Sequence, residues 1–555
     1  MVRQAFLLQR LPLLLCLGLL LLLTGYPLLI LFLQSVFPQI LGGSLSGFLE
    51  PYQRIAETTD LGAMIGTSLL WAGSVTLISW VIGIPCGFLL ARTDIPGKLW
   101  LRLSLLFPIM TPPYIAALSY ILVMQEGGFA DAFLGGLPAG LRAWFFSFWG
   151  VSTVMALASF GYVALAVEAA LERLPQRFDD AAAQLGAGLS QRLRLILLPL
   201  LLPAILNAGL LVFLEAISNF GVPAVLGTRS NLPLLPAEIF YLVTSWPVDL
   251  GLATSLSSLL CLMALAGLYG SRWLGQWIGG GRYRPGPARQ LPIGRKGHWL
   301  GWAFVALLFL LSTIVPYLAM MLSSLAEGWQ GGRPALTLAH YRELLSPGSR
   351  GASALLTSLG LSLSAATVCI LIGGYIAYVG SRNRGLLQQL LDGIATLPRV
   401  IPKIVMAVAL ILAWNAPWIP FDLYNTVWML LLAYVIIYIT DALNYANASL
   451  QSMSVNLENA AAVLGANRFT VFTRIVLPQL GPALSAAWLV TFIVCMRELV
   501  ASILLLPPGT DTTATFIFSQ FEQGDISLAM AMASLTILLS TIVLVAFQLR
   551  RRSSH

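Results

Sequence analysis

Long runs free of charge constrain this chain more than any other feature. Eleven stretches contain no Asp, Glu, Lys or Arg: 11–33, 61–91, 103–124, 143–167, 195–214, 250–271, 299–326, 351–381, 423–440, 475–496 and 526–549. A membrane-spanning helix needs about 20 mostly apolar residues. A twelfth run, 385–413, is interrupted by Asp392, Arg399 and Lys403. The pattern predicts an all-α integral membrane protein with twelve transmembrane helices, six before the basic segment 272–298 and six after it. Only 10% of the residues are charged, where a soluble domain carries about 25%. The first run is too long for a signal-peptide core and lacks a small-residue cleavage site, so it reads as a membrane anchor.

The net charge of +8 would suggest nucleic acid on a soluble protein, but its placement points to topology. With the N-terminus inside, 22 of the 31 Lys and Arg residues fall in inside segments. Six fall outside (Arg54, Arg142, Arg229, Arg333, Arg342, Arg350), and Arg399, Lys403 and Arg497 lie within helices. Positive loops stay cytoplasmic, so both termini are expected inside, with membrane lipid and no nucleic acid as partner. The five cysteines all sit in apolar runs without metal or redox spacing, and the three histidines are scattered. No metal centre is expected.

The chain repeats itself. Thr67-Ser68-Leu69 recurs as Thr357-Ser358-Leu359, Arg92 as Arg382, and Pro108 and Pro112 as Pro398 and Pro402, all at an offset of 290. Beyond a longer outside loop in the first half the offset becomes 279. Asp180-Ala181-Ala182 then matches Asn459-Ala460-Ala461, and Gly186, Ile196 and Pro199 match Gly465, Ile475 and Pro478. Six spans per half restore the orientation, so these are parallel repeats about an axis near the membrane normal. The expected domains are 1–278, a basic cytoplasmic linker 279–298, and 299–555.

Two cytoplasmic loops carry the most information: DDAAAQLGAGLSQRLRLILLP over 179–199 and ENAAAVLGANRFTVFTRIVLP over 458–478. An alanine triplet makes a short helix with a thin face, an acidic residue suits its N-terminus, and Gly186 or Gly465 supplies a turn. Pro199 or Pro478 then sits near the start of the next span, where proline is tolerated. The product is a rigid knob fixed to two membrane helices. These residues resemble the EAA loop of bacterial ABC importer permeases, with Asp180 and Asn459 standing where that family has Glu, and Glu458 one position earlier. The resemblance implies a type I ABC importer-like permease of the bacterial inner membrane. Its coupling residues are Asp180, Ala181, Ala182, Gly186, Ile196 and Pro199 in one loop. In the other they are Glu458, Asn459, Ala460, Ala461, Gly465, Ile475 and Pro478. It also implies a cytoplasmic ATPase, two copies expected, and an extracytoplasmic solute-binding protein. No P-loop occurs in the chain, whose Gly279-Gly280-Gly281 lies in the linker. The chain therefore cannot cradle ATP phosphates in a P-loop, and ATP and Mg are expected on the partner; this chain is not expected to be an enzyme or to hold a cofactor.

Fused permeases of this size resemble the ferric-iron group, on Phe213–Gly227 followed by Asp249–Ala253, and on Met496–Thr510 followed by Glu522–Ala529. Thiamine, polyamine, phosphonate or another small anion are alternatives within the class, and an ion-coupled secondary carrier is the alternative outside it. Glu215, Asn219, Arg497 and Glu498 are expected on the fifth helix of each half, toward its outer end. Buried ionisable groups at such depth face protein or water, so they line the pathway or form an internal pair. Arg399 and Lys403, one helical turn apart, are expected to share a face. They either line a water-filled pathway or are neutralised by Glu498 or Asp392.

Overall fold

A computed structural model describes residues 2–58, 61–174, 182, 184–227, 230, 232–277, 292–327, 335–383 and 385–553. Helices account for nearly all of the secondary structure among them. Ten are long and apolar enough to cross a membrane: α1 (Leu11–Val36), α2 (Leu61–Arg92), α5 (Phe148–Arg173), α6 (Arg194–Ile217), α7 (Leu250–Gly270), α8 (Gly294–Leu325), α9 (Arg350–Ser381), α12 (Val427–Ser452), α14 (Phe472–Cys495) and α15 (Ile526–Phe547). Two further spans are broken: α3 (Lys98–Met110) meets α4 (Pro113–Met124) at 93°, and α10 (Leu386–Val400) meets α11 (Lys403–Trp414) at 111°. Counting each bent pair once gives twelve. The short helix Val455–Val463, α13, precedes α14.

The breaks correct one expectation. The uncharged run 103–124 reads as one helix, and Arg399 and Lys403 as neighbours on one face. Instead α10 ends at Val400 and Lys403 opens α11, past Ile401 in an extended conformation. Pro402 has no N–H to continue the ladder and disfavours helix in the residue before it. Thr111 and Pro112 do the same in the first half.

Proline also explains four π turns. Leu21–Gly25, Leu193–Leu197, Leu310–Ile314 and Phe472–Val476 each end two residues before a proline, at Pro27, Pro199, Pro316 and Pro478. The ring crowds the carbonyl four residues back, and the preceding turn widens to accommodate it.

The helices form two compact units. One comprises residues 1–55, 239–258 and 338–555, and the other 56–238 and 259–337. Each therefore takes its first span from across the sequence repeat. Within the first, α1 packs on α9, α10 and α11, and Tyr26 donates from its hydroxyl to the Ala413 carbonyl at 3.0 Å. Within the second, the C-terminal half of α8 packs on α4, and Thr111 and Tyr317 share a 2.9 Å hydrogen bond. At the other end of α8, the Ile293 N–H and the His298 ring both bind Asp94, at 3.0 and 2.9 Å. The Ile293 N–H, then the His298 ring, hold the Asp94 carboxyl below its usual range.

Close helix crossings rest on small residues. A Cβ on Gly83 of α2 would lie 2.7 Å from the Phe160 carbonyl oxygen of α5, and on Gly87 2.5 Å from that of Ala164. Spacing of four residues brings both onto one seam, the small-xxx-small device of membrane helices. The second repeat keeps it: Gly373 of α9 faces Ala442 and Ile439 of α12. Gly83→Ala is therefore expected to lower the melting temperature of the detergent-solubilised protein. Gly66→Ala, where a Cβ meets nothing within 4 Å, should leave it equal or raise it, since alanine favours helix over glycine by about 0.5–1 kcal/mol. Equal effects at both sites would contradict the crossing.

The repeated Thr-Ser-Leu motif has a structural task that sequence alone does not reveal. Ser68 accepts the Leu235 N–H at 3.1 Å, and Ser358 the Thr513 N–H at 2.8 Å. Each serine thereby satisfies a free amide at the start of the helix that follows, Leu235–Thr244 or Thr513–Gln523.

Candidate coupling knobs and transport pathway

Both loops close on the same turn. In the second, α13 carries the alanine triplet and Gly465 follows it at φ +86. The Ala466 N–H returns to the Ala461 carbonyl at 3.0 Å. In the first, Gly186 stands at φ +82 and the Ala187 N–H returns to the Ala182 carbonyl at 3.0 Å. A left-handed residue with this six-to-one bond is the Schellman stop, which glycine favours because it has no Cβ to clash. Asp180 and Ala181 lie outside the described residues.

What each knob presents follows from that turn. Leu185 and Leu464, equivalent at offset 279 and each just ahead of its glycine, are 88% and 87% exposed; Val463 beside the latter is 88% exposed. Asn459 and Ala460 are exposed, Ala182 and Ala461 half-buried. Ile196 and Ile475 are half-buried within the π turns, and Pro199 and Pro478 are exposed at the heads of the long helices they begin.

Glu458 is turned inward. It accepts from Arg382 Nε at 3.0 Å and pairs with the other guanidinium nitrogen as well. Arg382 caps α9 and stacks on Tyr378, whose ring also contacts Phe472 of α14. The second knob is thus tied at its head and its tail to one membrane helix. Arg92, the equivalent of Arg382, is buried and donates to the Leu174 carbonyl at 3.4 Å.

The residues assigned to the pathway separate into different surroundings. Asn219, Arg497 and Glu498 sit just past the ends of α6 and α14 rather than on them, while exposed Glu215 occupies the last turn of α6. Asn219 Oδ1 accepts the Val222 N–H at 2.9 Å, and Glu498 Oε1 accepts the Val500 and Ala501 N–H groups at 3.1 and 3.3 Å. These equivalent positions both cap the short segment after the break. Glu498 goes further. Its other oxygen takes the Lys403 ammonium at 2.8 Å and the Tyr438 hydroxyl, and Lys403 also reaches that hydroxyl at 3.1 Å. Of the two partners weighed for Lys403, the structure brings Glu498; Asp392 instead accepts from Gln388 at 3.0 Å. Arg399 is exposed on α10. The first repeat has Pro113, Asn219 and Ser159 at the three equivalent positions, so this ionic cluster is one-sided.

A family model described as the binding-protein-dependent transport system inner membrane component matches residues 83–324 and again 369–554. The chain belongs to that family. This permease is 26% identical to the ferric transport system permease protein of Actinobacillus pleuropneumoniae, over 90% of the chain and 72% of the relative. It is 25% identical to an Fe(3+)-transport system permease protein of Haemophilus influenzae, over 95% and 96%. A Salmonella paratyphi A protein named as a 2-aminoethylphosphonate transport system permease aligns at 28% identity with 45% of the permease and 92% of itself, one repeat's worth. Membership makes the permease a multi-pass inner-membrane transport subunit of an ATP-driven importer, whose ATPase is a separate subunit and which works with a solute-binding protein. The ion-coupled carrier falls away.

Proposed function

We propose that this permease forms the pathway of a ferric-iron importer and that its two knobs seat a pair of ATPase subunits on the cytoplasmic face. The observation that carries the docking is the duplicated Schellman knob, each with a bare leucine at its tip. An apolar side chain almost wholly in water at both equivalent positions is a surface awaiting a partner. The excess of Lys and Arg in the same alternate loops supports a cytoplasmic place for the knobs and both termini. Ferric iron is supported by the long coverage of relatives named for it.

Coupling is mechanical in this reading. MgATP bound by the partner pair draws the knobs together, and each knob transmits the movement through the helix that holds its proline, α6 or α14. The second also pulls on α9 through Glu458 and Arg382. The pathway then opens outward to receive cargo from the binding protein, and hydrolysis resets it, a two-state element that both sites bias. The proposed repeats are 1–278 and 299–555, joined by the linker 279–298.

The test is uptake of radiolabelled ferric iron by proteoliposomes holding the permease, its ATPase and its binding protein. Uptake should require internal ATP and survive collapse of the ion gradients. Uptake of phosphonate, thiamine or polyamine with no iron uptake would reassign the cargo, and no ATP requirement would refute the coupling.

A further inference from the structure

The two repeats differ where α10 passes the C-terminal half of α12. Gln388, Asp392 and Thr396 follow one another at four-residue spacing on α10, and Asn444, Asn447 and Gln451 at helical spacing on α12. Residues four apart share a helix face, and the two stripes line one cavity of about 350 Å³. The repeat offsets put Lys98 and Arg102 of α3 opposite Gln388 and Asp392 in register, and Glu168 and Glu172 of α5 opposite Asn447 and Gln451.

In the first repeat the equivalent helix faces are bolted together. Arg102 Nε donates to Glu168 at 3.1 Å, and its guanidinium lies 3.5 Å from Glu172. The second repeat has the cleft and lacks the bolt. Asp392 accepts one hydrogen bond, from Gln388, and has no cationic partner among the described residues. Asn444, Asn447 and Gln451 make no side-chain hydrogen bond to the protein among the described residues. Arg382 at the rim is already paired with Glu458, so among the described residues lining the cavity the uncompensated charge is that of Asp392. Ala377 and Leu443 supply an apolar wall.

We propose that this cleft binds a small aliphatic ammonium or guanidinium compound. Its cation pairs with Asp392, its other polar groups take the free amides, and its carbon body lies on Ala377 and Leu443. The volume is that of a small organic ligand. A bare metal ion would instead need several hard oxygens converging at about 2.0–2.6 Å, and one carboxylate stands here. The ammonium can belong to a soluble amine or to the headgroup of phosphatidylethanolamine, since the chemistry is shared. The occupant would stiffen the end of α9 that holds the second knob through Arg382. That consequence rests on the docking reading, whereas binding itself does not.

The experiment uses the full chain in nanodiscs. In phosphatidylcholine alone, agmatine is titrated by microscale thermophoresis, and saturable binding is expected, weakened at least tenfold by Asp392→Asn. Rebuilding the bolt with Asp392→Arg and Asn447→Glu should abolish it without lowering the melting temperature. In a second arm containing phosphatidylethanolamine, native mass spectrometry looks for a retained lipid. A phosphatidylethanolamine adduct lost in Asp392→Asn, with no agmatine binding, assigns the lipid as the source. Binding of neither probe, or binding of either one unchanged by Asp392→Asn, overturns the proposal.

Discussion

Leu185→Asp combined with Leu464→Asp is expected to leave the permease folded in the membrane and strip it of its ATPase. Both side chains are nearly fully exposed, so the permease alone loses no burial. A docked ATPase loses two buried leucines, each contributing about 2 kcal/mol. At 1.4 kcal/mol per tenfold, that is about thirtyfold in affinity per knob, before the cost of burying a carboxylate. Gly186→Asp with Gly465→Asp is the companion pair. A Cβ added at either glycine would meet nothing within 4 Å. The new side chains therefore meet only the left-handed cost of about 1–2 kcal/mol each, which aspartate tolerates better than most. Affinity co-purification reads both pairs. Wild-type recovery of the ATPase with either would refute the docking assignment.

The second large effect lies at the buried cluster. Lys403→Met leaves Glu498, whose side chain is 3% exposed, charged and without its ammonium. Removing one partner of a buried pair costs about 3–5 kcal/mol; the Lys403 side chain is 35% exposed, so the lower end applies. Lys403→Met with Glu498→Gln should recover most of that. The glutamine carbonyl still accepts the Val500 and Ala501 N–H groups, and its amide meets the Tyr438 hydroxyl. Thermal melting in detergent distinguishes the cases: the single variant melts far below wild type and the double variant close to it. A double variant as unstable as the single would mean that the charges themselves, rather than their balance, hold the two breaks in place.

The architecture was largely legible in the sequence because its determinants are local or periodic. Uncharged runs mark the spans, and the offsets of 290 and 279 carry over to helix ends: Phe148–Arg173 and Val427–Ser452 match residue for residue. The glycines of the knobs were legible for the same reason, since a Schellman stop is written within six residues. Long-range partners were not. Ser68 looks like one more small residue of a span until it meets Leu235 N–H, 167 residues away. Glu458 looks like a stand-in for the missing family glutamate, yet the guanidinium at the end of α9 claims it. The side of a break on which Lys403 falls depends on where Pro402 ends a helix, which hydropathy does not register. That α1 packs with α9 to α11 has no signature in composition, because its outward faces are equally apolar.

The most direct test of the central reading asks where the knobs are. The Leu464→Cys variant is treated with a membrane-impermeant maleimide in right-side-out and in inverted membrane vesicles. The native cysteines are all buried, so background labelling is low. Labelling confined to inverted vesicles, and blocked when the ATPase is bound, is the expected result. Labelling from the extracytoplasmic side, or labelling indifferent to the ATPase, would contradict it.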